Sequence, residues 1–139
     1  MQSNKIELKM YSVSENESFA RMAVASYALR LNPTIDELSD IKTAVSEAVT
    51  NSIVHGYRDS VGIISIECEI EDRTLKICIS DEGVGIPDVS LAMTPLYTTL
   101  EKEERSGMGF SFMEIFMDSL VVESDINKGT RVYMTKTIM

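Results

Sequence analysis

Two short stretches, "GIISIECEIE" and "TLKICIS", constrain this chain more than any others. In the first, Ile64, Ile66, Cys68 and Ile70 alternate with Ser65, Glu67, Glu69 and Glu71. In the second, Leu75, Ile77 and Ile79 recur at every other position. Successive side chains of a strand point to opposite faces, so each stretch is a strand with one apolar and one polar face. Asp72-Arg73 between them marks a turn and predicts a hairpin. A sheet of such strands is covered on one side and wet on the other, as antiparallel sheets commonly are. "KIELKMYS" sets Ile6, Leu8 and Met10 against Lys5, Glu7 and Lys9 in the same way. "LVVES" and "TRVYMTKT", joined by the turn "DINKG", supply two further strands.

Helix signals fall between the strands. "SENE" matches a capping box with Ser14 as N-cap and Glu17 three residues on, and predicts a helix to about Leu31, where Asn32-Pro33 breaks it. "TIDE" is a second box, Thr34 with Glu37, opening a long helix that ends near His55-Gly56. "GMGFSFMEIFMDS" is a glycine turn entering a short helix. Residues 88 to 106 show no clean period and contain Pro95 and the charged run "EKEER". The order is strand, helix, helix, strand, strand, loop, helix, strand, strand. It predicts an α+β, two-layer sandwich, a mixed, mostly antiparallel sheet with helices on one face, and not a doubly wound sheet. The 139 residues suit one domain, 1–139.

Composition narrows the function. The net charge of -9 disfavours non-specific nucleic-acid binding, which relies on Lys and Arg against phosphates, and fits basic partners. No apolar run approaches the about 18–20 residues of a membrane span. "MQSNKIELKM" lacks the apolar core of a signal peptide, so a cytoplasmic location is expected. Cys68 and Cys78 are too few for a four-thiolate zinc site and are expected to be reduced thiols on or near the sheet.

Polar residues in the long helix raise the functional question. Leu38, Ile41, Val45, Ala48, Val49 and Ser52 share one arc, while Glu47 and Asn51, four apart, lie roughly 140° from its centre. They are expected outside the core, on a flank that is either wet or facing a ligand. Further on, "SDEGVGIP" leaves a strand at Asp81 and turns through Gly83 and Gly85. A carboxylate such as Asp81 accepts a hydrogen bond from an exocyclic amine like that of adenine. "RSGMGFSF" carries Gly107, Met108 and Gly109 into a helix, with free backbone N–H groups suited to phosphate and Arg105 just upstream as a cation. No G-x-x-x-x-G-K-[ST] is present, which excludes a P-loop. Each piece alone is weak.

Taken in order, Glu47-x-x-x-Asn51, Asp81-x-Gly83-x-Gly85, Gly107-x-Gly109 and Gly129-Thr130 resemble the GHKL ATP-binding superfamily over roughly residues 36 to 135. The resemblance implies ATP and Mg²⁺ as cofactors. Asn51 would bind Mg²⁺ and Glu47 would act as general base. Asp81 would bind the adenine amine with Thr130 at the same end. Gly83, Gly85, Gly107, Met108 and Gly109 would form the pocket and phosphate loops, and residues 88 to 106 the lid, with Arg105 steadying the transferring group. The short lid, together with "SENESFARMAVASY", "DIKTAVSEAVTNSIVHGY", "PLYTT" and "ERSGMGFSFMEIFMD", is similar to the anti-sigma serine kinases of endospore-forming bacteria.

That likeness implies partners as well. They are a sporulation sigma factor, sigma-F, held away from RNA polymerase, and a small anti-anti-sigma protein phosphorylated on serine. A homodimer is also implied. The first helix would belong to the docking surface, with Glu17 and Arg21 as candidates. The alternatives are a nucleotide-gated binding module without phosphate transfer and a kinase serving another sigma factor. The carboxylate of Glu47 favours a kinase, because a sensor needs no base.

Overall fold

The alternating strands form one sheet because their inward positions are apolar and their outward positions are not. The computed structural model describes residues 4–93 and 109–139. In chain order the elements are β1 (Asn4–Tyr11), α1 (Glu15–Ala28) with a closing 3₁₀ turn (Leu29–Leu31), and α2 (Ile35–Asn51) with a closing π-helical turn (Ser52–Tyr57). Then come β2 (Ile63–Glu71), β3 (Thr74–Asp81), the short α3 (Val89–Ala92), α4 (Phe110–Phe116), β4 (Ser119–Asp125) and β5 (Gly129–Thr137). The strand order is β1-β2-β3-β5-β4. Every neighbouring pair is antiparallel, so the mixed sheet anticipated from the sequence is antiparallel throughout the described residues.

The core lies between the sheet's inward face and the helices. Ile64, Ile66 and Cys68 of β2, Leu75, Ile77 and Ile79 of β3, and Val132 and Met134 of β5 pack with Val24 of α1, Ile41, Val45 and Val49 of α2, and Phe110 and Met113 of α4. This is the expected two-layer sandwich. Cys68, buried among these side chains, has its thiol pushed up to about 12 by loss of water, and Cys78 is raised by burial too; both are free thiols.

The two capping boxes have different fates. Thr34 forms its box in full: its hydroxyl accepts from the Glu37 N–H at 3.0 Å and Glu37 Oε1 accepts from the Thr34 N–H at 2.9 Å. Ser14 does not form one. Its backbone is already right-handed helical, at φ -56°, and its side chain makes no cap bond. Backbone carbonyls serve the first turn instead, Val13 accepting from Asn16 and Ser14 from Glu17. An N-cap hydroxyl reaches the third N–H only from an extended backbone, which Thr34 has at ψ 167°. At the break between α1 and α2, Asn32 adopts φ 51°, a left-handed conformation that asparagine tolerates better than most residues.

Candidate functional site

The site sits where the apolar rows of the sheet end in polar residues. On β3 the inward series Leu75, Ile77, Ile79 continues by the same period of two to Asp81, which is therefore buried, at 7% exposure. In register beside it stands Thr130 of β5, and beside that Ser124 of β4. Three strands thus carry one cross-strand row, Asp81–Thr130–Ser124, at the end of a greasy face.

Asp81 is held by two donors. The Ser52 hydroxyl donates to Oδ2 at 2.7 Å and the Gly83 N–H donates to Oδ1 at 2.9 Å. Each carboxylate oxygen keeps acceptor capacity beyond these bonds. Ser52 is the first residue of the π-helical turn, so the extra residue in that turn links the end of α2 to the end of β3. The Tyr57 hydroxyl closes the same corner, donating to the Ile63 carbonyl at 2.6 Å and accepting from the Glu82 N–H at 2.8 Å.

Glycines allow the loop after β3 to fold back tightly. A Cβ on Gly83 would lie 2.3 Å from the Gly56 carbonyl oxygen, and Gly56 O accepts from the Val84 N–H at 2.9 Å. Gly85 has φ 79° and would bring a Cβ to 2.0 Å from the Asp125 carbonyl. At these two glycines backbone approaches backbone, which fixes the wall of the pocket.

Asn51 corrects the helical-wheel reading. It is buried, at 8% exposure, although it lies off the apolar arc of α2. A wheel describes one covering surface, whereas α2 is packed by α1 and by α4 as well as by the buried face of the sheet. Asn51, Asp81, Gly85 and Thr130 line one small cavity, joined there by Ser52, His55 and Phe110.

Glu47 stands one helical turn before Asn51 and is half-buried. Loss of water raises its carboxyl above the ordinary glutamate value. Gly109, at φ 67° at the head of α4, passes so close that a Cβ there would sit 2.2 Å from Glu47 Oε1. Glu47 also lines a groove between α1 and α2, together with Arg21, Ser39, Lys42, Thr43 and Ser46. Arg21 pairs with Glu17 at 3.8 Å, an ion pair too long for a hydrogen bond. Arg21 therefore reaches the groove beside Glu47, and neither α1 residue lines the cavity around Asp81.

Arg105, Gly107 and Met108 lie outside the described residues, as does most of the segment 88–106. Sequence reasoning missed two members of the site. Ser52 was assigned to the apolar arc. Ser124 continues the inward series Leu120, Val122, a signal of the same kind that marks Asp81. Among the described residues no three His, Cys, Asp or Glu side chains come together as a metal cage. A divalent ion here would be held by the Asn51 carboxamide oxygen together with phosphate oxygens and water, a coordination that suits Mg²⁺.

Comparison with known proteins identifies the family. The histidine kinase-like ATPase domain family matches residues 14–136. An anti-sigma F factor of Clostridium kluyveri is 55% identical over 98% of this chain and 96% of its own length. One from Geobacillus kaustophilus is 56% identical over 97% of this chain and 93% of its own. In fold, the chain is similar to the RsbU and RsbW domains of a Mycobacterium tuberculosis protein, with a TM-score of 0.69 at 15% identity, covering 97% of this chain and 32% of that one. It is also similar to the catalytic domain of the histidine kinase ThkA, with a TM-score of 0.58 at 15% identity over 99% of this chain and 97% of that one.

Proposed function

Since the chain belongs to the histidine kinase-like ATPase family and, within it, to the anti-sigma F factors, we propose that it is a sigma-F-binding serine kinase. In this reading it is one ATP-binding domain acting in the cytoplasm as a homodimer. It sequesters sigma-F and uses Mg-ATP to phosphorylate a serine of a small anti-anti-sigma protein. The observation that carries the kinase part is Glu47. A half-buried carboxylate with a raised pKa stands one turn from Asn51 and lines a groove that also holds Arg21 and Lys42.

Adenine would enter the cavity with its amino group donating to Asp81, beside Thr130. The triphosphate would run toward Asn51, whose carboxamide oxygen is the ligand offered to Mg²⁺. Mg²⁺, when bound, offsets phosphate charge. Gly107, Met108, Gly109 and Arg105 are assigned to the phosphates by family resemblance. The acceptor serine would approach along the α1–α2 groove. Glu47 takes the proton of its hydroxyl as the serine oxygen bonds to the γ-phosphorus, and the bond to the β–γ bridging oxygen breaks to leave ADP. Positioning and charge stabilisation carry most of such a reaction. Arg21, with Glu17 beside it, is the docking candidate for both protein partners.

The test is transfer of label from γ-labelled Mg-ATP to the anti-anti-sigma protein, comparing wild type with Glu47→Gln. Transfer by wild type that collapses in the variant, with ATP still bound, supports a kinase whose base is Glu47. ATP bound by wild type without any transfer would overturn the kinase reading and leave a nucleotide-gated binding module.

A further inference from the structure

The three backbone N–H groups that follow Asp81 each have their own acceptor. Glu82 donates to the Tyr57 hydroxyl at 2.8 Å, Gly83 to Asp81 Oδ1 at 2.9 Å and Val84 to the Gly56 carbonyl at 2.9 Å. Two of these acceptors belong to the π-helical turn Ser52–Tyr57, whose first residue also donates to Asp81 Oδ2. Gly56 lies against the carboxylate itself, since a Cβ there would come within 3.1 Å of either oxygen. In an α-helix, residues five apart stand about 140° from each other around the axis. The wider π turn, with bonds closing five residues apart, brings Ser52 and Tyr57 to the same loop, with Gly56 between them.

The Tyr57 hydroxyl is held independently of that loop. Its one proton goes to the Ile63 carbonyl at 2.6 Å, which leaves a lone pair for the Glu82 N–H. Its ring is seated on Gly62, where a Cβ would fall 2.3 Å from the ring edge. Gly62 is bonded twice to Ser12: the Ser12 N–H donates to the Gly62 carbonyl at 2.9 Å, and the Gly62 N–H donates to the Ser12 hydroxyl at 3.0 Å. Tyr57 thus reaches Glu82 from a base that continues the pairing of β1 with β2. We infer that Tyr57 is a positioning residue for nucleotide binding. It stands outside the cavity around Asp81, but by holding the peptide between Asp81 and Glu82 it sets the turn that lays the Gly83 N–H on Asp81, and so aims the carboxylate into the cavity. This inference rests on the reading of that cavity as an ATP site.

The experiment is Tyr57→Phe, which removes the hydroxyl and leaves the ring on Gly62. It is read by equilibrium titration with ATP and by amide hydrogen exchange of the ligand-free protein followed by NMR. ATP affinity is expected to fall about five- to ten-fold, the scale of one lost hydrogen bond. The Gly83 amide is expected to exchange faster relative to core amides such as those of Ile66 and Ile77, as a local opening does. A folded Tyr57→Phe that melts at a lower temperature but binds ATP within about two-fold of wild type gives Tyr57 a structural role only and overturns the inference. Weaker ATP binding with the relative exchange of Gly83 unchanged also overturns it, because the hydroxyl then does not act through Asp81. If Tyr57→Phe does not fold, Gly62→Ala keeps the hydroxyl and pushes the ring off its seat. It is expected to produce the same two changes, and wild-type values for both would overturn the inference. Wild type that binds no ATP overturns the nucleotide reading, and this inference with it.

Discussion

Ser52 Oγ lies 2.7 Å from Asp81 Oδ2 and donates to it, joining the end of a helix to the end of a strand 29 residues away in sequence. The bond orients Asp81 within its buried setting, and the Gly83 N–H satisfies its other oxygen. Asp81→Asn keeps the shape and replaces one acceptor by a donor. It is expected to weaken ATP binding by about ten- to a hundredfold, in line with roughly 1.5–3 kcal/mol for a hydrogen bond to a charged group. Calorimetric titration checks this, with the circular dichroism spectrum unchanged. Ser52→Ala should cost less, about 1 kcal/mol, since Asp81 keeps its bond to Gly83.

Glu47 predicts a pH dependence. Burial raises its pKa, so its basic form appears at a higher pH than that of a free glutamate, about 4.3. The acid limb of the phosphate-transfer profile should therefore lie above that value and vanish in Glu47→Gln. The same shift bears on stability. A carboxyl whose folded pKa is raised stabilises the fold below its unfolded pKa, and that contribution is lost as pH rises through the folded value. At neutral pH the ionised group is then a burden. Glu47→Gln should raise the melting temperature by about 1–2 °C, the small size reflecting solvent screening of a half-exposed group. Thermal melts at pH 4.5 and 7.5 check the sign, with the gain larger at the higher pH.

Gly83→Ala tests the backbone contact in the pocket wall. The new methyl would fall 2.3 Å from the Gly56 carbonyl oxygen, and backbone does not yield as a side chain does. A loss of about 1–3 kcal/mol is expected from overpacking, together with loss of the Val84–Gly56 hydrogen bond. Urea unfolding with and without ATP measures both effects. The difference in midpoint produced by ATP should shrink, because the displaced loop carries Asp81's second donor.

Arg21→Ala separates docking from nucleotide binding. Arg21 lines the α1–α2 groove and not the cavity around Asp81. The variant is expected to weaken capture of the anti-anti-sigma protein at least five-fold while ATP affinity stays within two-fold, about 1 kcal/mol for a partly exposed charge. Pull-down and nucleotide titration on the same preparation decide it.

Much of this architecture was legible because strand periodicity needs no tertiary information. Leu75, Ile77 and Ile79 gave the inward face of β3, and one more step of two along it reaches Asp81. The register also explains what sequence reading passed over. Ser124 and Thr130 become partners only when β5 inserts beside β4, and no local pattern announces that pairing. Asn51 was misjudged for a related reason: its cover includes α4, more than 50 residues downstream. Ser14 failed as a cap although its motif was intact, because motif and backbone conformation are separate requirements and only Thr34 met both. The glycines are legible as turns, but the groups they approach, Gly56, Asp125 and Glu47, come from elsewhere in the chain.

The strand order has a consequence for biosynthesis. β5 leaves the ribosome after every other described strand, yet it occupies an interior place between β3 and β4. Until it arrives, the edges of β3 and β4 with which it pairs lack their backbone partners. Asp81 meanwhile lacks both Thr130 and the Gly129 turn that packs against its carbonyl. Among the described strands, the cavity around Asp81 is therefore the last seam to close. A nascent chain gains its affinity for a ligand in that cavity in the same step in which it completes its sheet, so ligand present during synthesis acts as a clasp on that seam and favours the finished chain over its unfinished precursors.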